Sequence, residues 1–509
     1  MRRRFLATSL GALTAVATVA VILPAAGHAA FVKGSSGVGD PYFPKAGNGG
    51  YDVGRYYLRL HYKPNVNRLR AVANIHARAT KNLSRFDLDF RHLRISRLTV
   101  NGKKARIKRR GQELKITPRH GLRKGKKFTV RVRYRGHPRP VTDPDGAKDG
   151  WIPTDDGAFV ASEPQGAPSW FPCNDYPTDK ARYRIRVTVP KGKVAVANGT
   201  LVKRVVHKRR KTFVWDENSP MATYLATVTT GKFGVEQSRA NGIPSYVAID
   251  PREAMGAAEA LSKMPAMLRL QERSFGAYPF GTTGAAVDHA PSVGYALETQ
   301  TRPIYDTVPS QATVAHELAH QWFGDSVSLR RWRQIWLNEG FATWAEWQWQ
   351  EHDGGVSVKK RFNDLYRSHG AGDTNFWNPP PGDPGGPEHL FDLTIYVRGG
   401  MTLEALRQEV GAPTFMRILR DWVRDHAYGN AGIKQFIELA EADSGQDLDH
   451  FFKVWLYKRG KPRDWGSSSA LGEDHVAVTR AHGPPSARPS DRGAIGQLRL
   501  SPPAGWPAP

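Results

Sequence analysis

Two textures of hydrophobic and polar positions divide this chain. From about residue 51 to 231, short runs alternate apolar and polar residues one for one, as in YYLRLHY (56–62), FTVRVRYRG (128–136) and ARYRIRVTVP (181–190). Such alternation buries one face of a strand and wets the other. Turn pairs such as Asn101-Gly102 between the runs predict antiparallel connections. Near residue 240 the texture changes. PREAMGAAEALSKMPAMLRLQERSF (251–275) predicts a helix with proline near its start and the break FGAYPF after it. Helical spacing then dominates to about residue 459. From residue 464 on, seven prolines and six glycines interrupt any apolar period, which predicts a flexible tail. The expected organisation is α+β: an antiparallel β domain over 31–240, a mainly helical domain over 241–463, and a tail over 464–509.

Residues 1–30 fit neither texture. Arg2, Arg3 and Arg4 precede an uncharged stretch over 5–23, and small residues fill 25–30. That order reads as a cleaved export signal, with a retained membrane anchor as the alternative; RRRFL also resembles a twin-arginine signal. The protein is therefore expected to be secreted. With 509 residues, 40% of them hydrophobic, the chain can fill two or three domain cores. Cys173 is the only cysteine, so an intramolecular disulfide and a cysteine-built metal site are both excluded, and a buried thiol is expected.

The formal charge of +27 changes the picture less than its size suggests. Between residues 94 and 139, 18 Lys or Arg face the single acid Glu113. Arg131, Arg133 and Arg135 alternate with apolar residues, as on the solvated face of a strand. Weak attraction to an anionic cell wall is the functional alternative. No stacking motif or phosphate loop supports a nucleic-acid partner.

The chemistry-bearing stretch is TVAHELAHQW (313–322), with two histidines four residues apart and a glutamate directly after the first. Ser310 is placed to cap a helix and Gly324 to end it, which puts both histidines mid-helix. At that spacing His316 and His320 share a face and can reach one Zn²⁺. Glu317, one position round, suits a base that works on the metal's water. The motif alone arises by chance often enough to mislead. A second segment, WLNEGFATWAEWQWQ (336–350), supplies Glu339 as a third ligand after an eighteen-residue gap from His320. From the same helix, Glu346 can accept a hydrogen bond from the far nitrogen of a liganding histidine. Six tryptophans between Trp322 and Trp349 imply a buried neighbourhood, where a carboxylate needs a partner. One zinc per chain is expected.

These residues resemble the aminopeptidase N family of zinc metallopeptidases, which includes leukotriene hydrolase, in H-E-x-x-H, the eighteen-residue gap and N-E-G-F-A. Further similar stretches are WFPCNDYPTDKARYRI (170–185), YVRGGMTLEAL (396–406) and FFKVWLYKRGKP (451–462), so the likeness spans about residues 45–462. It implies a short two-domain member: a β saddle, then a thermolysin-like domain, with the site facing the groove between them. It also implies that Tyr396 donates its phenol to the oxyanion of the tetrahedral intermediate. Glu298 would bind the substrate's α-amine; its stretch YALET keeps the glutamate of the family's G-x-M-E-N but not the flanking Gly, Met and Asn. Glu163, nine residues before Pro172, would be the second amine-binding carboxylate, although Val160 and Ala161 stand where the family has T-Q. The implied function is a zinc aminopeptidase acting on peptides. The altered strand leaves a thermolysin-like endopeptidase as the alternative, and an inactive wall-binding protein as the non-enzyme reading.

Overall fold

The computed structural model describes residues 30–466, so all but the last residue of the expected leader and nearly all of the expected tail lie outside the described residues. The alternating runs form an eight-stranded sheet in the order Thr200–His207, Arg210–Met221, Ala181–Pro190, Tyr51–Lys63, Arg68–Ala79, Lys127–Gly136, Arg94–Val100 and Lys103–Lys104. Its inner face buries Tyr56, Leu58, Leu60, Ile75, Val130, Val132 and Ile185. The alternating arginines Arg131, Arg133 and Arg135 are exposed, as expected of a wet face. A four-stranded and a five-stranded sheet complete this domain, and the Cys173 thiol is buried in it.

The expectation of antiparallel pairing fails at the middle of the large sheet. Ala181–Pro190 runs parallel to Tyr51–Lys63, with Ile185 opposite Leu58. A parallel neighbour needs a long crossover, and the more than one hundred residues between these strands provide it. No local period encodes that pairing.

The domain boundary also moves. Strand Gly234–Ala240, assigned above to the first domain, pairs with Ile243–Ile249 through the Asn241-Gly242 turn, where both residues have positive φ. Ile243–Ile249 runs parallel to Thr283–Val287, so the hairpin belongs to the five-stranded sheet of the second domain. The first domain ends near Gly231. The helix expected over 251–275 is two helices, Ala254–Ser262 and Met264–Phe275. Pro265 in the first turn of the second explains the break, because it has no N–H to continue the first.

The helical domain places three helices around one point: a histidine helix (Gln311–Ala319), a glutamate helix (Trp336–His352) and a tyrosine helix (Leu393–Val410). The last two approach closely through glycines. A Cβ on Gly340 would come within 3.0 Å of the Gly399 backbone, and one on Gly399 within 2.9 Å of Gly340 Cα. Buried Arg398 ties the tyrosine helix to the last helical turn among the described residues by donating to the carbonyls of Trp455, Val454 and Lys458 at 2.7–3.0 Å.

One residue of the expected tail belongs to the core. Trp465 is buried, with ring centroids 5.5 Å from Trp455, 5.9 Å from Phe451 and 6.4 Å from Phe362. A lone tryptophan among polar residues leaves no period to announce this. Trp465→Ala should cost about 3–5 kcal/mol of stability, the usual loss for a buried tryptophan. Denaturant unfolding of the variant checks it, and a loss under about 1 kcal/mol would put the ring outside the core.

Candidate metal centre

Ser310 caps the histidine helix as its type predicts, accepting the Thr313 amide at 3.0 Å. The helix stops earlier than Gly324. Ala319 is its last residue and His320 is the C-cap. The His320 amide still donates to the His316 carbonyl at 3.3 Å, and its backbone stays helical, so the i, i+4 relation of the two rings survives. Their centroids are 4.8 Å apart.

Glu339 closes the triad from the glutamate helix. Its Oε2 lies 3.3 Å from His316 Nε2 and 3.4 Å from His320 Nε2, with all three side chains buried. The other ring nitrogens face acceptors: Glu346 Oε2 stands 3.5 Å from His316 Nδ1, and the Phe323 carbonyl 3.0 Å from His320 Nδ1. The Phe323 carbonyl engages His320 through Nδ1, and both Nε2 atoms turn toward Glu339. Burial pushes the Glu339 carboxyl up, but the two histidines outweigh it and hold the group down at about 2.

Around this triad the structure gathers more negative charge than it balances. Glu298, Glu317 and His320 bring donor atoms within 4.8 Å of one another. Both oxygens of Glu317, both of Asp325 and Oε1 of Glu298 are buried without a hydrogen-bond donor among the described residues. Burial, reinforced by Glu298 and Glu339 and opposed by the histidines, pushes Glu317 up to about 8. Such a pocket calls for a cation. Two imidazole nitrogens and one carboxylate oxygen, converging at one point, fit Zn²⁺.

The remaining expected residues fall around the same point. The Tyr396 ring is 6.1 Å from that of His316, centroid to centroid. Glu163 is buried, and it and Glu298 both push up the buried phenol of Tyr224, whose first cause is burial itself. Tyr224 donates to the Gly324 carbonyl at 3.2 Å, which sets both carboxylates beside the turn that follows His320.

Gln321, Lys180 and Asp325 also border the site, and no spacing in the sequence gave them a role there. Gln321 accepts the Thr301 amide at 2.7 Å and donates to the Glu298 carbonyl at 3.0 Å, fastening the strand that carries Glu298 to the end of the histidine helix. Lys180 reaches from the first domain to the carbonyls of Asp325 and Ser326, both at 2.9 Å. Asp325 itself sits where only the fold could show it. Lys180 lies in a stretch already singled out by resemblance, but nothing in its spacing gave it a partner.

A profile described as the Peptidase M1 N-terminal domain matches residues 53–225, and one described as the Peptidase family M1 domain matches residues 295–455. Aminopeptidase M1-B of Oryza sativa subsp. japonica is 30% identical over 333 residues, 60% of this chain and 37% of that protein. The tricorn protease-interacting factor F2 of Thermoplasma volcanium is 28% identical, over 61% of this chain and 42% of its own length. This chain thus spans well under half of those relatives. It covers the whole of an M1 zinc metallopeptidase from Deinococcus radiodurans, at 29% identity and a TM-score of 0.77. A form of that protein bound to a Tyr-Ser-Ala substrate superposes equally well, with a TM-score of 0.77 at 28% identity.

Proposed function

Because this chain belongs to the peptidase M1 family through both its N-terminal and its catalytic domain, we propose that it is a zinc-dependent aminopeptidase that removes N-terminal residues from peptides. The observation that carries this is the convergence of His316, His320 and Glu339 beside an unpartnered Glu317. Solved neighbours that carry L-arginine or Tyr-Ser-Ala support the substrate class.

His316 Nε2, His320 Nε2 and a Glu339 oxygen would hold the ion. Zinc, when bound, polarises the scissile carbonyl, acidifies water and adds positive charge that favours ionised Glu317. A Glu317 oxygen takes the proton of the attacking water and hands it to the departing amine. The Phe323 carbonyl at His320 Nδ1 and the Glu346 carboxylate beside His316 Nδ1 orient the two rings so that each Nε2 faces Glu339. The phenol of Tyr396 donates to the oxyanion that develops on the carbonyl. Glu298 and Glu163 receive the substrate's ammonium group, which sets the register at one residue.

Elemental analysis of the purified active protein should find one zinc per chain. Full activity in protein without metal would overturn the proposal. Tyr396→Phe should lower kcat by roughly 10²–10³-fold with little change in KM, since its donor matters once the oxyanion forms. Steady-state kinetics on one aminoacyl reporter separates this from a raised KM at constant kcat, which would make Tyr396 a binding residue.

Export belongs to the same proposal and is supported by the basic head and apolar stretch of residues 2–23. The exposed arginines of the large sheet support weak attraction of the exported protein to an anionic wall.

A further inference from the structure

A second group of acids, two buried and one half-buried, shares no residue with the triad. Asp156, Asp250 and Asp288 each bring an oxygen within 4.8 Å of the other two. Asp156 sits in the turn between strands Lys148–Pro153 and Ala158–Ala161 of the first domain. Asp250 and Asp288 follow directly on the neighbouring parallel strands Ile243–Ile249 and Thr283–Val287 of the second. The acids therefore meet across the domain junction, at the carboxyl ends of two parallel strands, a usual place for a ligand.

The charge there is unbalanced. Lys193 donates to Asp156 at 2.8 Å, while Arg252 holds Asp250 at 2.8–2.9 Å and Asp155 at 2.6 Å. Four carboxylates against these two cations leave about two negative charges; His289 is already engaged by Glu253. Asp288 is the telling member. Its side chain is fully buried, Oδ1 accepts the His289 amide at 2.9 Å, and Oδ2 has no donor among the described residues. Oδ1 of Asp156 is likewise buried without one. A buried carboxylate oxygen facing two other carboxylates is costly unless a cation or a proton joins them.

We propose that Asp156, Asp250 and Asp288 form a calcium site that pins the two domains together. The three converging donors are all carboxylate oxygens, which selects a hard cation. Ca²⁺ tolerates the irregular arrangement that three side chains already engaged elsewhere impose, whereas Mg²⁺ demands a near-octahedral one. A cavity of about 280 Å³ is bordered by Asp155 and His289, the chain neighbours of Asp156 and Asp288. The site would stiffen the segment that runs from Asp288 to Glu298, which follows strand Ala296–Leu297.

The test uses the full zinc-loaded protein, dialysed free of other metals and checked for retained zinc, and titrates it calorimetrically with CaCl₂ and, separately, MgCl₂. One Ca²⁺ per chain should bind, with Kd of roughly 10⁻⁴–10⁻³ M, more tightly than Mg²⁺. Saturating Ca²⁺ should raise Tm by about 2–6 °C. Asp288→Asn, which keeps the shape and removes the charge, should weaken binding at least about tenfold and erase the Tm rise. Asp156→Asn, in a surface turn, reads the same loss should the buried variant fail to fold. Asp449→Asn, in the exposed cluster with Glu441 and Asp447, should change nothing. Absence of binding, or binding untouched by both Asp288→Asn and Asp156→Asn, would overturn the proposal. So would a calcium-blind wild type that Asp288→Asn stabilises, since the carboxyls would then share a proton. None of these readouts depends on hydrolysis, so the peptidase reading stands or falls separately.

Discussion

Replacing Glu317 by alanine should leave one zinc in the protein and remove turnover by about 10²–10⁴-fold, the range that positioned general bases contribute. The geometry separates the two roles. Glu339 points an oxygen at both Nε2 atoms, while Glu317, one residue past His316, is buried with neither oxygen engaged. A group that holds the metal would take the metal with it when removed; a group that moves protons would not. Metal analysis and kinetics on the same preparation check the pair of outcomes. Substantial activity in the variant would mean another base does the work, and loss of zinc would make Glu317 a ligand.

Blocking the substrate's amine should have an effect of similar or greater size. An N-acetylated peptide should be cleaved about 10⁴-fold more slowly than its free counterpart, the discrimination expected where a buried polar site loses the group it was built to bind. Glu298 and Glu163 are both buried, and Glu298 keeps an oxygen without a donor. An ammonium ion satisfies that charge, whereas an acetyl group leaves it desolvated and unpaired. Any residue extending beyond the first would also run into these carboxylates. The departures at Tyr295 and Thr299 do not release the strand. Tyr295 donates to the Lys148 carbonyl at 2.8 Å, and Thr299 Oγ1 donates to the Arg302 carbonyl. Gln321 fixes it from the other side at the Glu298 carbonyl.

The metal centre was legible because its geometry is written in short spacings. His316 and His320 are one helical turn apart, and Glu346 lies two turns beyond Glu339 on the same helix. Glu339 needed one more step, the inference from surrounding tryptophans that its helix is buried; Trp322, Trp332, Trp336, Trp344, Trp347 and Trp349 are all buried. What brings Tyr396 to them, the contact of Gly340 with Gly399, has no periodic signature, and Tyr396 could be reached only by resemblance. Long-range pairings were equally hidden. No spacing within Gly234–Ala240 tells which sheet it joins, which is decided by Ile249 lying beside Val287. The acids at positions 156, 250 and 288 are scattered in the chain, and only the fold assembles them.

The central claim is that a buried anionic pocket beside the metal reads a free amine and counts off one residue. It is tested most directly by incubating one peptide, in free and N-acetylated forms, with the purified protein and following the products by mass spectrometry. The account predicts a ladder of products shortened by single N-terminal residues from the free peptide, and an acetylated peptide left essentially whole. Internal cleavage of both forms at comparable rates would contradict it and make the protein an endopeptidase.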